Sequence, residues 1–492
     1  MTTTDRRVPS PFLTQTVLIL GAITVLRVIA LFITDLNLGP DEAQYWSWSR
    51  ALSFGYFSKP PMIAWVIALT TNLGGDSEAF VRLASPLLHF ATSLVVFFLA
   101  RDVQDERTAF WSALIYATLP AIWFSSGLIT TDVPLLFFWS LALLAFHRVL
   151  ETRNIRWTLV LGVALGLGFL SKYAMVYFFL GAVVLFITCA HARWFFTSRL
   201  ALISGGVMAL MIAPNIIWNF THHFPTFSHT AANANWRGEL FNLNSLLSFL
   251  LSQAGIMGPL LIVTFVWGAW AVCKRTNSTG TTSADVFLLS FSLPILLLVV
   301  LQSFISRANA NWAAPAYIGA TIFVVSWLMK QRIKWVIPVS FSLHIVMGIV
   351  LVAMSSNLAL IEAAGLSNAF KRVRGWDEIG NEIAAMADKG GYRTILTDDR
   401  LVMAELLYYA RPRHQYIRIW DYDGKPQNQY EMDAAFHKDA GSPVLLVARA
   451  SRPNHILNAF DTAEIITVLN TRTGVDKRRV LTLYRLEGFH GT

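Results

Sequence analysis

Long apolar runs alternate with short polar connections over the first 354 residues of the chain. Most runs have about 17 to 25 residues, the length that an α-helix needs to cross the hydrocarbon core of a membrane. Because the runs are continuous rather than alternating, they favour helices over the strands of an outer-membrane barrel. We predict eleven transmembrane helices, at residues 12–33, 79–100, 108–124, 132–149, 157–171, 173–190, 200–219, 245–272, 285–304, 312–329 and 335–354. The glycines of the fifth run, at 162, 166 and 168, predict close packing of that helix against a neighbour.

Residues 355–492 have a different pattern, in which shorter apolar runs are separated by polar turns. An amphipathic helix is predicted at 400–410, and strands are predicted at 393–397, 443–448, 463–469 and 479–486. The predicted fold class is therefore a mainly α, polytopic membrane protein with a C-terminal soluble α/β domain. The predicted domains are a transmembrane module at 1–354, with a long outer loop at 34–78, and a soluble domain at 355–492.

Composition excludes a soluble enzyme, and the distribution of charge predicts how the chain is oriented in the membrane. The chain is 55% hydrophobic and only 14% charged. Fourteen Lys and Arg residues fall in connections on the side of the N-terminus, and five fall in the opposite connections before the last span. By the positive-inside rule the N-terminus is cytoplasmic, and an odd number of spans places residues 355–492 outside. The net charge of +9 therefore reflects topology rather than nucleic-acid binding.

The first outer loop, residues 34–78, is too long for a plain connector and is rich in acidic and aromatic residues. Loops of this length usually have a function. Pro40 suits the first turn of a short helix, in which Asp41 and Glu42 would favour the positive end of the helix dipole. An aromatic belt at the membrane interface with a helix cap is the alternative to a catalytic loop.

Three segments of the chain resemble a known family. They are Asp-Glu-Ala-Gln-Tyr-Trp at 41–46, Gly-Tyr-Phe-Ser-Lys-Pro-Pro at 55–61 and Glu-Ala-Phe-Val-Arg-Leu at 78–83. They are similar to the first outer loop and second span of the GT-C glycosyltransferases, in the branch that contains protein O-mannosyltransferases and bacterial lipid A aminoarabinose transferases. The resemblance implies the transfer of one sugar from a polyprenyl phosphate to an acceptor on the outer side of the membrane.

The resemblance also implies roles for individual residues. Asp41 matches the catalytic aspartate of the family, and Lys59 matches the lysine that meets the donor phosphate. Asp132, in Thr-Asp-Val-Pro at 131–134, matches a second acidic position, although a capping Asp at a helix start is the structural alternative. The family member compared most closely usually has Glu where this chain has Ser58, a difference that bears on the identity of the donor sugar.

Glu42, next to Asp41, completes the set of candidate catalytic carboxylates. A divalent metal ion held by Asp41 and Asp132, together with Glu42, is an open alternative, but no His or Cys spacing supports a metal site. The sequence requires no other cofactor.

The reaction needs a base for the acceptor hydroxyl and positive charge for the phosphate that leaves. Asp41 supplies the base, and Lys59 supplies part of the positive charge. Arg27 lies inside the first span, where it would either pair with an acid such as Asp35 or meet the phosphate. Each of the other candidate cations also has an interpretation without a role in catalysis, as a contact with lipid headgroups, a polar loop residue or a snorkelling side chain. Further candidates for the donor phosphate are Arg237, Arg307 and His229, and candidates for the substrate cavity are Tyr45, Tyr56, Phe57 and Lys172.

The predicted function is that of an integral-membrane, inverting glycosyltransferase of the bacterial inner membrane. It would move one hexosyl or pentosyl residue from an undecaprenyl-type phosphate to lipid A, lipopolysaccharide or another cell-envelope glycan on the periplasmic face. Inversion of the anomeric configuration is inferred by analogy with glycoside hydrolysis, because there is a single candidate base. Two alternatives stay open: a protein O-mannosyltransferase, and a lipid-linked sugar flippase or transporter, which would place charged or broken helices at the membrane midplane. The predicted partners are the lipid-linked sugar, the acceptor and membrane lipids, without nucleic acid.

Overall fold

The computed structural model describes residues 10–233, 240–274, 283–411, 416–437, 440–449 and 452–491. Helices dominate it, as the apolar runs predict. In the first half of the chain the helices are α1 (Pro11–Ile33), α2 (Pro40–Ser49), α3 (Met62–Gly74), α4 (Glu78–Arg82), α5 (Ala84–Val103), α6 (Glu106–Thr118), α7 (Pro120–Ser126), α8 (Asp132–Thr152), α9 (Ile155–Ser171), α10 (Tyr177–Thr188), α11 (Arg193–Phe196), α12 (Arg199–Thr221) and α13 (Pro225–Asn233).

The second half of the chain adds more helices and all the strands that the described residues form. The helices are α14 (Leu243–Met257), α15 (Pro259–Lys274), α16 (Ser283–Ser290), α17 (Leu293–Ile305), α18 (Ala316–Lys330), α19 (Val336–Ser355), α20 (Leu358–Ala363), α21 (Trp376–Lys389), α22 (Arg400–Tyr409), α23 (Gln429–Asp433) and α24 (Asn454–Leu457). The strands are β1 (Thr394–Thr397), β2 (Ile417–Ile419), β3 (Val444–Ala448), β4 (Phe460–Arg472) and β5 (Arg478–Phe489). Short 3₁₀ turns lie at Tyr173–Val176, Ala190–Ala192, Ala310–Ala313 and Lys371–Val373.

Among the described residues, six helical segments are long and apolar enough to cross a membrane. They are Pro11–Ile33, Glu78–Val103, Asp132–Thr152, Arg199–Thr221, Ser283–Ile305 and Val336–Ser355. Three further helix pairs pass the same test but are bent, α6 with α7 by 56°, Tyr173–Thr188 with Ala190–Phe196 by 115°, and α14 with α15 by 108°. Counting each bent pair as one span gives nine. The chain is a multi-pass membrane protein.

The predicted number of eleven spans is not confirmed. Two of the predicted spans correspond to α9, which has 17 residues, and α18, which has 15. A helix of 15 residues is about 22 Å long at 1.5 Å per residue, which is short of the hydrocarbon thickness of about 30 Å. The run at 245–272 is not one straight helix, because Gly258 takes a φ of 89° and Pro259 begins a new helix.

The chain forms two compact units. The membrane unit comprises Met1–Phe32, Lys59–Ile63 and Arg82–Val352. The sheet unit comprises Ile33–Ser58, Ala64–Val81 and Ala353–Thr492. Most of the first outer loop therefore belongs to the same compact unit as the C-terminal residues.

Helices α9 and α12 of the membrane unit approach each other closely at two glycines. A Cβ atom added to Gly162 would lie 2.7 Å from the carbonyl oxygen of Ser204. One added to Gly166 would lie 2.4 Å from the Cβ of Met211. Since real Cβ atoms essentially never come this close, only glycine fits at either position. The predicted role of these glycines in close helix packing is confirmed.

The membrane unit has an apolar core and an apolar outside. The ring of Phe178 lies 4.8 Å from that of Phe291 and 5.8 Å from that of Phe146, and all three are buried. By contrast, Leu202 on α12 is 77% exposed and Leu251 on α14 is 75% exposed. Helices with leucines on their outer faces fit a lipid environment, in which apolar side chains need no cover from water.

The sheet unit contains a five-stranded sheet in the order β2-β1-β3-β5-β4. Strand β1 pairs in parallel with β2 and β3, while β5 pairs antiparallel with β3 and β4. Helix α22 connects the parallel strands β1 and β2, and Leu396, Leu446 and Tyr484 lie in the core of the sheet. The predicted C-terminal α/β fold is confirmed, and β4 is longer than the predicted strand at 463–469.

Within the sheet unit, the first outer loop is hydrogen-bonded to helix α22. The Nε1 of Trp46 donates to Oδ1 of Asp76 at 2.9 Å, and its ring packs edge-on against Tyr408 with centroids 4.9 Å apart. The hydroxyl of Tyr408 donates to the carbonyl oxygen of Asp76 at 2.6 Å. The hydroxyl of Tyr409 donates to a carboxylate oxygen of Glu78. These contacts hold the loop in a fixed shape.

Candidate functional site

Helix α2 begins as its sequence predicts. Pro40 occupies the first turn, and Oε2 of Glu42 accepts a hydrogen bond from the backbone nitrogen of Gly39 at 2.9 Å. This contact satisfies a backbone donor that the helix itself leaves without an acceptor. Glu42 is only 4% exposed. Its carboxylate therefore helps to start the helix.

Asp41 has the opposite environment. Its side chain is 71% exposed, and its Oδ1 lies 3.6 Å from Nη1 of Arg400. The same Nη1 donates to the side-chain oxygen of Gln44. Because Asp41 and Gln44 are three residues apart, they share one face of α2. Of the two adjacent carboxylates, Asp41 is the one that another molecule can reach.

The aromatic residues of the loop pack on one another. The ring of Tyr56 stacks on Trp48 with centroids 4.5 Å apart, and Tyr45 lies 5.4 Å from the same ring. The Tyr56 hydroxyl donates to the carbonyl oxygen of Trp48 at 3.0 Å, and burial raises the pKa of Tyr56 to about 12. Tyr45 and Tyr56 are thus buried parts of the loop. The backbone nitrogen of Phe57 donates to Oε1 of Gln429 at 2.6 Å, and the side chain of Phe57 is half-buried.

Lys59 lies at the point where the chain enters the membrane unit. It is half-buried, and Pro60 and Pro61 follow it directly. Each proline fixes one backbone dihedral, so the backbone that carries the Lys59 side chain is stiff on its C-terminal side.

Asp132 is held by residues from two other elements of the membrane unit. Its Oδ1 lies 2.7 Å from Nζ of Lys172, at the end of α9, and its Oδ2 accepts from Nδ2 of Asn311 at 2.6 Å. The side chains of Asp132 and Lys172 are 11% and 20% exposed. Two of the predicted site residues, Asp132 and Lys172, are therefore joined in a largely buried ion pair.

The remaining predicted cations have varied surroundings within the membrane unit. Arg27 is buried, donates through Nη2 to the carbonyl oxygen of Ala117 and lies 4.3 Å above the ring of Trp123. Among the described residues, it forms no ion pair with a carboxylate. Arg307 is exposed, and His229 on α13 is half-buried. Arg237 lies outside the described residues.

The described part of the chain contains no group of three or more His, Cys, Asp or Glu side chains arranged to hold a metal ion. The two aspartates of the segment Asp421-Tyr422-Asp423 lie in a turn. In that turn Oδ1 of Asp421 accepts hydrogen bonds from the backbone nitrogens of Asp423 at 3.3 Å and Gly424 at 3.0 Å.

Two residues of these sites were not predicted from the sequence. Asn311 belongs to Ala-Asn-Ala-Asn-Trp at 308–312, which repeats the pattern at 232–236 and marks the segment without distinguishing Asn311 from Asn309. Arg400 has no local signal, since its contact with Asp41 joins residues that are far apart along the chain. Only the packing of α22 on α2 reveals it.

Comparisons with known proteins extend the resemblance of the loop motifs. Residues 58–218 match the family model described as dolichyl-phosphate-mannose-protein mannosyltransferase. The lipid A galacturonosyltransferase RgtD of Rhizobium johnstonii is 33% identical over 473 residues, which are 95% of this chain and 97% of that protein. An undecaprenyl phosphate-alpha-4-amino-4-deoxy-L-arabinose arabinosyl transferase of Pseudomonas aeruginosa is 35% identical over 151 residues, 27% of this chain and 27% of that protein.

The fold has been solved in another protein. ArnT from Cupriavidus metallidurans matches with a TM-score of 0.68 in the apo state and 0.63 when bound to undecaprenyl phosphate. Each match covers 96% of this chain and 98% of that chain at 16% identity. The galacturonosyltransferase is similar over nearly the whole of both chains, so the chain belongs to its family, within the GT-C fold glycosyltransferases that the loop motifs resemble.

Proposed function

We propose that the chain transfers a single galacturonosyl residue from a polyprenyl phosphate to lipid A. The observation that carries this proposal is the 33% identity to a lipid A galacturonosyltransferase over 97% of that protein. The shared fold supports the class of donor, because ArnT has been solved with undecaprenyl phosphate. The leaving group of the reaction is then a polyprenyl phosphate.

Ser58 is compatible with a donor sugar that has no amino group. The family member that the loop resembles most closely usually has Glu at this position. A carboxylate there would attract the ammonium group of an amino sugar and repel the carboxylate of a uronic acid. Ser58 is neutral and does neither, so it is compatible with a galacturonosyl donor.

Asp41 is the proposed general base, and Lys59 is the proposed partner of the donor phosphate. The exposed carboxylate of Asp41 is suited to accept the proton of the acceptor hydroxyl as the hydroxyl attacks the anomeric carbon. The bond to the phosphate oxygen breaks, and a cation stabilises the charge that develops there. A single displacement of this kind inverts the anomeric configuration. Arg237, Arg307, His229 and Arg27 are the further cations proposed to meet the donor.

Asp132 has a different proposed role from Asp41. A carboxylate that already accepts from Lys172 and Asn311 is engaged on both oxygens. We therefore assign it to the shape and charge of the substrate cavity, with Lys172 as its partner, rather than to proton transfer.

The proposed location is the inner membrane of a bacterium. In this arrangement the N-terminus is cytoplasmic, residues 1–354 form the transmembrane module and residues 355–492 form a periplasmic domain. The excess of Lys and Arg in connections on the N-terminal side supports this orientation. Labelling of single-cysteine variants tests it: a cysteine at Asn458 should react with an impermeant reagent from the periplasm.

Protein mannosyl transfer is a second candidate, favoured by the family model that matches residues 58–218. One experiment separates the candidates. The purified full chain is incubated with polyprenyl phosphates that carry galacturonic acid, aminoarabinose or mannose, each with lipid A or with a Ser- and Thr-containing peptide. We expect transfer of galacturonic acid to lipid A. Transfer of mannose to the peptide would favour the second candidate, and no transfer from any donor would overturn both.

A further inference from the structure

We infer that Arg400 is a positioning residue for Asp41, brought to the first outer loop by a helix of the C-terminal sequence. The inference rests on the proposed role of Asp41 as the base. It gives the C-terminal residues a part in catalysis that the sequence does not predict.

Arg400 is itself held in place at the start of α22. The preceding residue, Asp399, caps this helix, and its Oδ1 accepts from the backbone nitrogens of Leu401 at 2.7 Å and Val402 at 3.1 Å. The other oxygen of Asp399 lies 2.8 Å from Nη1 of Arg449, which follows β3. The turn that carries Arg400 is therefore fixed by its neighbours.

The guanidinium of Arg400 engages two residues on one face of α2. Its Nη1 donates to Gln44, whose side chain is buried, and lies 3.6 Å from Oδ1 of Asp41. The Gln44 contact anchors the guanidinium, and the anchored guanidinium offers a fixed positive charge to the exposed carboxylate of Asp41.

The surroundings of this contact favour an orienting role. Tyr430 on α23 meets α2 through its hydroxyl, which lies 3.1 Å from the hydroxyl of Ser47. Burial raises the pKa of Tyr430, so its phenol is neutral at ordinary pH, and charges that act on it include those of Arg400, Glu405 and Asp41. A carboxylate that is 71% exposed can rotate freely unless a partner restrains it. Arg400 supplies that restraint, and a base held in one orientation is a better catalyst than one that rotates.

The test compares substitutions in the purified full chain, with polyprenyl phosphate-galacturonic acid as donor and lipid A as acceptor. Arg400→Gln should lower kcat about tenfold with little change in the KM for the donor. Arg400→Lys should recover part of the loss, because an ammonium keeps the charge but does not reproduce the planar fork. In the Asp41→Asn background, Arg400→Gln should change kcat less than about twofold, because the group it orients is gone.

The matched control is Arg411→Gln. Arg411 also joins this helix to the loop, with its guanidinium 5.1 Å from the ring of Trp46 and 4.1 Å from that of Tyr408. The Arg411→Gln variant should have a kcat within about twofold of the parent. Equal losses from Arg400→Gln and Arg411→Gln would overturn the inference, and so would a full tenfold loss from Arg400→Gln in the Asp41→Asn background. A parent chain that transfers no sugar would instead overturn the proposed function, and the inference with it.

Discussion

The ammonium of Lys172 lies 2.7 Å from Oδ1 of Asp132, and both side chains are largely buried. Asp132 begins α8, Lys172 directly follows the end of α9, and Asn311 from a third segment completes the contacts of the carboxylate. A buried ion pair of this kind is costly to break, because removal of one partner leaves the other charged and without compensation.

We predict that Lys172→Met destabilises the protein by about 3 kcal/mol, the usual scale for breaking a buried ion pair. Asp132→Asn should cost a similar amount, since it leaves the Lys172 ammonium without its anion. Removal of both charges together should cost less than the sum of the two single changes. Thermal unfolding of the purified variants in detergent measures each change.

The ion pair of Asp102 and Arg148 is the matched control for Asp132 and Lys172. It also lies in the membrane unit, its atoms are 2.6 Å apart, and its side chains are 19% and 21% exposed. Arg148→Met should also lower stability, though by less because Asp102 keeps Arg101 at 3.6 Å, and should leave the turnover of the folded protein unchanged. Lys172→Met should lower turnover as well, and equal turnover in the two variants would remove Asp132 and Lys172 from the proposed substrate cavity.

Glu42 and Asp41 are neighbours that should respond differently to loss of charge. Because Glu42 caps α2, Glu42→Ala should lower stability by about 1 kcal/mol, the usual effect of a lost cap. Asp41 is exposed, so Asp41→Asn should leave the unfolding temperature unchanged while transfer falls about 100-fold. Unfolding curves and initial rates of the two variants check both statements. A large loss of stability in Asp41→Asn would show that Asp41 is structural.

The close approach of α9 and α12 predicts a strong response to added volume. Gly166→Val should destabilise the protein by about 1 to 3 kcal/mol, because the new side chain would overlap Met211. Gly205→Ala on α12 is the control, since a Cβ there meets nothing within 4 Å. It should be neutral or slightly stabilising, because alanine favours the helix over glycine. Equal unfolding temperatures for the two variants would contradict the packing.

The buried phenol of Tyr56 predicts a loss of stability at alkaline pH. Burial raises the pKa of Tyr56 to about 12 in the folded protein, above the ordinary value of a tyrosine, 10.0. The stabilisation that it contributes is complete below about pH 10 and is lost as the pH rises towards about 12, with a total of about 3 kcal/mol. Tyr56→Phe should remove this part of the pH dependence, whereas the exposed Tyr422→Phe should not. Unfolding temperatures measured from pH 9 to pH 12 decide between these outcomes.

Local patterns in the sequence predict the parts of the structure that depend on neighbouring residues. The start of α2 at Pro40 and the strands β1 and β3 follow from such patterns, because caps, turns and apolar runs act over a few residues. The partners of Asp132 and Asp41 are not predictable in this way. Lys172 and Arg400 reach them only through tertiary packing, which brings together residues that are distant in the sequence.

The prediction for Arg27 illustrates the same limit. An Arg inside an apolar run needs a partner, and the sequence suggests either an acid such as Asp35 or the donor phosphate. The structure instead provides the carbonyl oxygen of Ala117 and the ring of Trp123. A backbone carbonyl and an aromatic face leave no signal in the charge pattern, although both can stabilise a buried guanidinium.

The mass of lipid A tests the central claim most directly. The chain and its Asp41→Asn variant are expressed at equal levels in a host that lacks this gene but makes polyprenyl phosphate-galacturonic acid, and lipid A is analysed by mass spectrometry. The account predicts that lipid A from cells with the parent chain gains the mass of one hexuronic acid residue, and that lipid A from cells with Asp41→Asn does not. Lipid A of unchanged mass in cells that contain the folded parent chain would contradict it.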